Sequence, residues 1–241
     1  MKDNKGIIVT GGTGNLGRVI VDYLSSSGNK IYVPAQSIDK FRNIFDKSQK
    51  DNNYSLNKVF AFECDASKSD SVKEFINSVS KLENGKIDCL INTVGGIHKP
   101  VNIIDSDENV LDTMIDLNFR SVYYFSKETA KVMKANKYGR IISISSLASL
   151  KIPKGLYYYG FTKTAVNQLM DTMSEELKQF NVRCNTIIPS TIDTPSNREW
   201  GSEEDIKKWV SPVQIAKVIH HLISEDFDSV HSSDIKILGN Y

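Results

Sequence analysis

Residues Gly6–Gly17 read GIIVTGGTGNLG, a short apolar run that stops at a cluster of four glycines. A strand covered on both faces reads as such an unbroken run, and the LGRVIVDYLSSSG that follows (Leu16–Gly28) has helical spacing. Gly28 supplies that helix with a C-terminal stop. Gly12, Gly14 and Gly17 satisfy G-x-G-x-x-G between the strand and the helix. Glycines at these places permit the tight turn, let the backbone approach a pyrophosphate and admit close helix–strand packing, while the helix N-terminus faces the negative charge. The bare pattern also fits a plain turn, so the rest of the chain has to decide.

Outward from this stretch, apolar β-rich runs recur: KIYVPA at 30–35, KVFAFEC at 58–64, IDCLINTV at 87–94, RIISIS at 140–145, VRCNTII at 182–188 and DIKIL at 234–238. Amphipathic helical patterns lie between them, among them SDSVKEFINSVSKLE at 69–83, started by Ser69 and Asp70 as caps, and one long pattern from Val110 to Asn136. Strand and helix alternate to the end without linker or repeat. The expectation is one α/β domain over residues 1–241, a doubly wound, mostly parallel, seven-stranded sheet with helices on both faces. Residues 195–210 break the pattern with charge and two tryptophans, and read as a lid-like insertion. In such an alternating chain the glycine turn reads as a nucleotide site.

Composition sets the outer limits. The 241 residues are 40% hydrophobic and 24% charged, which excludes a disordered tail protein, and a formal charge of +1 draws the chain to neither nucleic acid nor a membrane surface. The apolar run near the N-terminus is too short for a secretory signal or membrane span. Cys64, Cys89 and Cys184 are far apart, each in an apolar run, with neither metal-ligand nor disulfide spacing; buried thiols in a cytoplasmic protein without metal are expected.

Where the second strand ends, a bound adenosine ribose expects an acidic partner. The chain instead offers Ala35, Gln36 and Ser37, with Asp39, Lys40 and Arg42 close behind. That composition favours NADP(H), with NAD(H) possible through Asp39. Farther on, YYYGFTK (Tyr157–Lys163) raises the question of which tyrosine does chemistry. On a helix, residues four apart share a face, so Lys163 lies over Tyr159 and not over Tyr157 or Tyr158. A nearby ammonium lowers a phenol from its usual pKa of roughly 10, making Tyr159 the candidate to exchange a proton near neutrality.

Together these residues make the whole chain resemble the short-chain dehydrogenase/reductase family, which implies a Rossmann fold. The turn TGGTGNLG is similar to the family's glycine motif, with Asn15 where most single-domain members carry glycine. By this resemblance Gly11, Thr13, Gly14, Asn15, Leu16 and Gly17 would cradle the dinucleotide, with Gln36 at the ribose. Asp65 and Ala66 in CDASKSD would hold the adenine. Asn92 and Gly95 in NTVGG match the family's Asn-Asn-Ala-Gly, from which Thr93 and Val94 depart. Pro189, Ile192 and Thr194 in IIPSTIDTP would meet the nicotinamide, with Ser190 replacing a glycine. The catalytic quartet carries over to Asn118, Ser146, Tyr159 and Lys163. Ser146 is selected over Ser145 because it lies thirteen residues before the tyrosine. Tyr159 and Lys163 would also touch the cofactor.

The resemblance implies hydride transfer between a nicotinamide cofactor and a small carbonyl or alcohol, with Tyr159 as general acid/base. YGFTKTAVNQL and IIPSTIDTPSNREW are also similar to dihydropteridine reductases and a bacterial group akin to them, although this chain keeps Ser146. Quinonoid dihydropteridine reduction, and a dinucleotide sensor without turnover, are therefore the alternatives. Val110–Asn136 and the tyrosine-rich helix resemble the family's subunit-pairing helices, and Leu238–Tyr241 its tail contact, implying a homotetramer or homodimer. His98 either touches substrate or is an exposed loop histidine. His220 and His221 read as surface or packing residues, Tyr123 and Tyr124 as helix packing, and Arg18 as solvent-facing. Trp200 and Trp209 either cap an apolar substrate or pin the lid.

Overall fold

The structure is a computed structural model that describes residues 4–52, as backbone alone from 46, and 58–240. The first half runs β1 (Gly6–Thr10), α1 (Asn15–Ser26), β2 (Lys30–Ala35), α2 (Ile38–Asn52), β3 (Val59–Glu63), α3 (Ser69–Leu82) and β4 (Cys89–Asn92). The second runs α4 (Glu108–Met114), a π-helical turn (Ile115–Arg120), α5 (Ser121–Asn136), β5 (Gly139–Ile144) and α6 (Tyr157–Leu177). β6 (Val182–Pro189), α7 (Pro195–Arg198), α8 (Glu203–Ile206), α9 (Pro212–Leu222) and β7 (Ser233–Ile237) complete it. The seven strands form one sheet in the order β3-β2-β1-β4-β5-β6-β7, and every neighbouring pair is parallel.

The pleat divides the core in two. Ile7 and Val9 of β1 face a layer containing Ile20 and Leu24 of α1, Phe41 and Phe45 of α2 and Ile215 and Ile219 of α9. Ile8 faces the other way, toward Phe75 and Val79 of α3, Phe125 and Met133 of α5 and Val166 and Met170 of α6. Covering both faces is why the strands read as unbroken apolar runs: all of β1 and β5 is buried. Each fully buried Ile or Leu contributes about 1.5–3 kcal/mol relative to exposure. Even Arg140 of β5 is buried, its guanidinium ion-paired with Asp228 and stacked 4.6 Å from the Tyr138 ring.

Two sequence expectations need correction. Ser69 and Asp70 do not cap α3: Lys68 takes the N-cap position, with Ser69 and Asp70 inside the first turn. The long helix expected over 110–136 is not uniform, because the π turn at Ile115–Arg120 interrupts it. A π turn adds a residue to the helical repeat, and such turns concentrate at functional sites.

Topology alone opens the crevice. The connection leaving β1 crosses one face of the sheet and the connection leaving β4 crosses the other, so the chain parts at the carboxyl ends of these neighbours. Thr93 ties its floor: its hydroxyl donates to the Thr10 carbonyl at 2.6 Å, and its amide donates to the Thr10 hydroxyl at 3.2 Å.

Candidate active site

The glycine turn lies at this crevice. Gly11 adopts φ +64°, a region costly for other residues, and a Cβ on it would sit 3.0 Å from the Val94 amide nitrogen. At Gly17 a Cβ would lie 2.1 Å from the Gly11 carbonyl oxygen, so any side chain there would break the turn. The α1 N-terminus has Gly14 as N-cap, without a side-chain cap and without an acid in the first turn. Its first amides are therefore left for an external acceptor, and the helix dipole favours an anion there. Thr13, Asn15 and Leu16 line the same turn, half-buried, and so is Arg18 just beyond it, which is less solvent-facing than expected. These features fit a dinucleotide pyrophosphate.

At the β2 tip Ala35 is buried, while Gln36 and Ser37 are exposed. Asp39 points its carboxylate at Arg42, 3.8 Å away. Just past the end of β3, Asp65 accepts hydrogen bonds from the Ser67 amide and hydroxyl and pairs with Lys68 at 3.3 Å. The Ser67 bonds are the chief reason its carboxyl is held below the usual range. Asn92 departs from what its expected role suggests. Its side chain is 1% exposed and turns into the core, donating to Ser126 and Ser143. Whatever Asn92 offers the crevice comes from its main chain.

The four expected catalytic residues come from three places. Asn118 sits in the π turn, fully buried, where its Oδ1 accepts from the Gly96 amide at 2.8 Å and its Nδ2 donates to the Gly96 carbonyl at 3.0 Å. It also donates to the Thr162 hydroxyl, which itself donates to the Tyr159 carbonyl at 2.8 Å. Thr162 is a link that motif reading missed; its signal was a hydroxyl one helical turn beyond Tyr159. Lys163 is buried and donates to the Ile144 carbonyl at 3.0 Å, its ammonium 5.9 Å from the centre of the Tyr159 ring. Gly95 is the meeting point: a Cβ there would lie 2.9 Å from Asn118 Oδ1 and 3.1 Å from Lys163 Nζ.

Ser146 and Ser145 separate cleanly. Ser145 is buried and spends its hydroxyl on the Lys163 carbonyl. Ser146 accepts from the Ala148 amide at 3.2 Å, which leaves its own proton to give, and it is the neighbour that favours ionisation of the Tyr159 phenol. The tyrosines separate too. Tyr158 is buried with its hydroxyl bonded to Ser106, and Tyr157 is exposed and stacked on Phe161. Tyr159 alone of the three adjoins both Ser146 and Lys163.

Its acidity differs from the expectation. Burial raises the Tyr159 phenol, and the Ser146 bond offsets this in part. Lys163 does not lower it, because the ammonium turns to the Ile144 carbonyl and is itself pushed down to about 8 by burial.

The segment at 195–210 forms the one-turn helices α7 and α8. Its base is closed by a parallel bridge between Ile192 and Val210, and Thr194 caps α7. Pro189 and Thr194 are buried and Ile192 half-buried beneath it. Trp209 packs against Gly201, where a Cβ would lie 2.2 Å from its ring, and Trp200 tilts on it at 5.0 Å while remaining largely exposed. His98 is half-buried, its ring 5.7 Å from Tyr158. The tail expected at Leu238–Tyr241 donates from the Asn240 amide to the Lys208 carbonyl within the chain, and Tyr241 lies outside the described residues. Among the described residues no group of His, Cys, Asp and Glu is placed to hold a metal, and no helix is long and apolar enough to cross a membrane.

Residues 5–205 match a family model described as short chain dehydrogenase. The chain belongs to the short-chain dehydrogenase family. It is 30% identical over 207 residues to a tropinone reductase homolog of Arabidopsis thaliana, covering 86% of this chain and 75% of the relative. It is 28% identical over 251 residues to a 7alpha-hydroxysteroid dehydrogenase of Paraclostridium sordellii, covering 99% and 92%. Among solved structures, ElxO with NADP bound superposes with a TM-score of 0.87 at 22% identity, covering 97% of each chain. NAD+-bound xylitol dehydrogenase superposes with a TM-score of 0.87 at 21% identity, covering 100% of each. Those two likenesses show the short-chain dehydrogenase fold. The family comprises oxidoreductases that bind NAD(P) and act on small molecules, and its members' fold is the Rossmann-type sheet described above.

Proposed function

We propose that this protein is a cytoplasmic, NADP(H)-preferring reductase or dehydrogenase acting between a small carbonyl compound and its alcohol. The observation that carries this reading is a chain of neighbours at the carboxyl end of the sheet: Asn118 and Lys163 meet at Gly95, Tyr159 adjoins Lys163, and Ser146 adjoins Tyr159. The glycine turn, Gln36, Asp65, Ala66, the main chain at Asn92 and Gly95, and Pro189, Ile192 and Thr194 would hold the dinucleotide, which when bound supplies or accepts the hydride. Negative charge grows on the carbonyl oxygen as the carbon is reduced. Tyr159 gives its proton to that oxygen, and Ser146 donates a hydrogen bond to it. Lys163 stands beside the phenol ring with its ammonium held by the Ile144 carbonyl, and Asn118 fixes the Gly96 peptide. In the alcohol-oxidising direction Tyr159 is the base.

Support for NADP(H) is the β2 tip, which presents no acid at Ala35, Gln36 or Ser37, with Arg42 nearby at 3.8 Å from Asp39. Ser146 speaks for a carbonyl over a quinonoid pterin, because pterin reduction develops no alkoxide for the hydroxyl to stabilise. The names of the relatives, a tropinone reductase homolog and a 7alpha-hydroxysteroid dehydrogenase, support the same reading. A non-catalytic sensor would need the crevice but no proton donor. The whole chain is proposed to act as one domain with residues 195–210 as its lid, and as a homodimer or homotetramer. Tyr123, Tyr157, Phe161 and Leu111 leave apolar surface on α4, α5 and α6 for a second copy. Light scattering that gives only a monomer at micromolar concentration would refute the assembly.

The test is a panel of cyclic and open-chain ketones, diketones and quinonoid dihydropterin with NADPH or NADH, followed by absorbance. Ketone turnover with NADPH, shifted toward NADH by Ala35→Asp, is expected. Pterin turnover that survives Ser146→Ala, or no turnover of any carbonyl, would overturn the reading.

A further inference from the structure

The lid is fastened at two ends by different means. At its base, the Val210 amide donates to the Thr191 carbonyl at 2.9 Å and the Asp193 amide to the Val210 carbonyl at 2.8 Å. Trp209 over Gly201 and the Asn240 amide on the Lys208 carbonyl secure the return limb. α7 is held by its own neighbours: Asn197 donates to the Ile192 carbonyl at 2.8 Å, and Arg198 forms a two-bond ion pair with Asp193. These contacts fix the shape of α7 but not its position over the crevice.

Position comes from Asn15. This residue opens α1 within the glycine turn, and its Nδ2 donates to the Ser196 hydroxyl at 2.9 Å, across a sequence separation of 181. The bond joins the turn that faces a pyrophosphate to the lid helix that follows Thr194. Glycine at position 15 would leave the turn without this reach. The contact is exposed and neutral, and such a bond exchanges readily with water.

We infer that Asn15 and Ser196 form a latch that holds α7 across the mouth of the dinucleotide crevice and must open before the dinucleotide leaves. Ser196 is a positioning residue, whereas Asn15 also belongs to the turn that would hold the dinucleotide, so the nucleotide-free arm is the one that reads Asn15→Gly; the inference rests on the dinucleotide-binding reading above. A hinge fixed at 191–193 and 210 with one weak bond at its free end closes reversibly. Breaking the bond shifts the lid toward the open form without disturbing the quartet beneath it.

The test has two arms. In the nucleotide-free protein, hydrogen exchange of the amides from Asn197 to Trp200 reports opening of α7. In the loaded protein, stopped-flow fluorescence reports NADPH release. Ser196→Ala is expected to speed both, and Asn15→Gly the exchange, by roughly 2- to 10-fold, the scale of one exposed hydrogen bond. In exchange the double variant should be no faster than the faster single, because both remove one bond. Ser196→Thr, which keeps the hydroxyl, should restore wild-type rates. Exchange unchanged in Ser196→Ala, or effects that multiply in the double variant, would overturn the latch. A wild type that binds no dinucleotide overturns the functional reading instead, and the nucleotide-free exchange arm then decides the latch by the same outcomes.

Discussion

The two walls of the crevice are built in opposite ways. On one side, Asn118, Thr162 and Lys163 are all but buried, and their bonds run between separate elements: the π turn, α6, β5 and the loop after β4. On the other, Ser196 and Trp200 are exposed, and most bonds of residues 195–210 stay within the segment and its flanks. The first wall is over-determined, since each side chain answers to partners from distant parts of the chain. The second is local. Proton transfer demands atoms placed to a fraction of an ångström, whereas choosing a substrate needs a surface that varies at little cost to the fold.

If that contrast holds, damage to the first wall should dominate. Tyr159→Phe is expected to lower kcat by roughly 10²–10⁴-fold while leaving dinucleotide affinity in place. Tyr158→Phe should stay active and lose about 1 kcal/mol of stability with the Ser106 bond, read by urea denaturation. Equal loss of activity in the two would erase the distinction between neighbours on one helix.

Gly95→Ala comes next. Its methyl would press on Asn118 Oδ1 and Lys163 Nζ together, and a misplacement of this kind costs about 10²-fold in turnover. Activity close to wild type would show that the wall is softer than its bonding implies.

A gentler probe uses pH. Lys163 titrates at about 8 in the fold, against an ordinary value of 10.5. Between those values the unfolded chain binds more protons than the folded one, so this group makes stability rise with pH from about 8 upward. The buried thiols of Cys64, Cys89 and Cys184, pushed up by burial, act in the opposite sense, so Lys163→Met should make stability fall more steeply than wild type in denaturation series at pH 7 to 10, and a slope identical to wild type would place the proton elsewhere. The smallest effect belongs to the second wall: Trp200→Ala should change stability by no more than about 0.5 kcal/mol while altering KM from one ketone to another.

The same contrast governs what was legible in the sequence. The five inner strands were readable because burial on both faces writes itself as unbroken hydrophobicity, while the partly exposed edge strands β3 and β7 kept enough apolar residues to be read beside them. Tyr159 was separable from its neighbours because helical spacing places Lys163 beside one of the three. What stayed hidden was direction. Asn92 sits in the crevice strand, but nothing in CLIN tells which way its amide turns, and it turns into the core. The acidity of Tyr159 also escaped spacing rules, since the Ile144 carbonyl that captures Lys163 lies at the end of the preceding strand, outside the helix whose spacing was read. Ser146 was told from Ser145 by its distance from the tyrosine, but the physical reason, that Ser145 spends its hydroxyl on the Lys163 carbonyl, came only with their partners.

The π turn at Ile115–Arg120 bears on how this chain tolerates insertions and deletions. Such a turn is in effect one amino acid added to a helix and accommodated as a bulge. Removing a single residue there would let α4 run straight into α5, with more regular hydrogen bonding than the native chain. The shortened protein would nonetheless carry Asn118 swung by roughly a quarter turn, the angle that one residue subtends on a helix. Here a tidier helix and a working crevice are competing outcomes of a one-codon change.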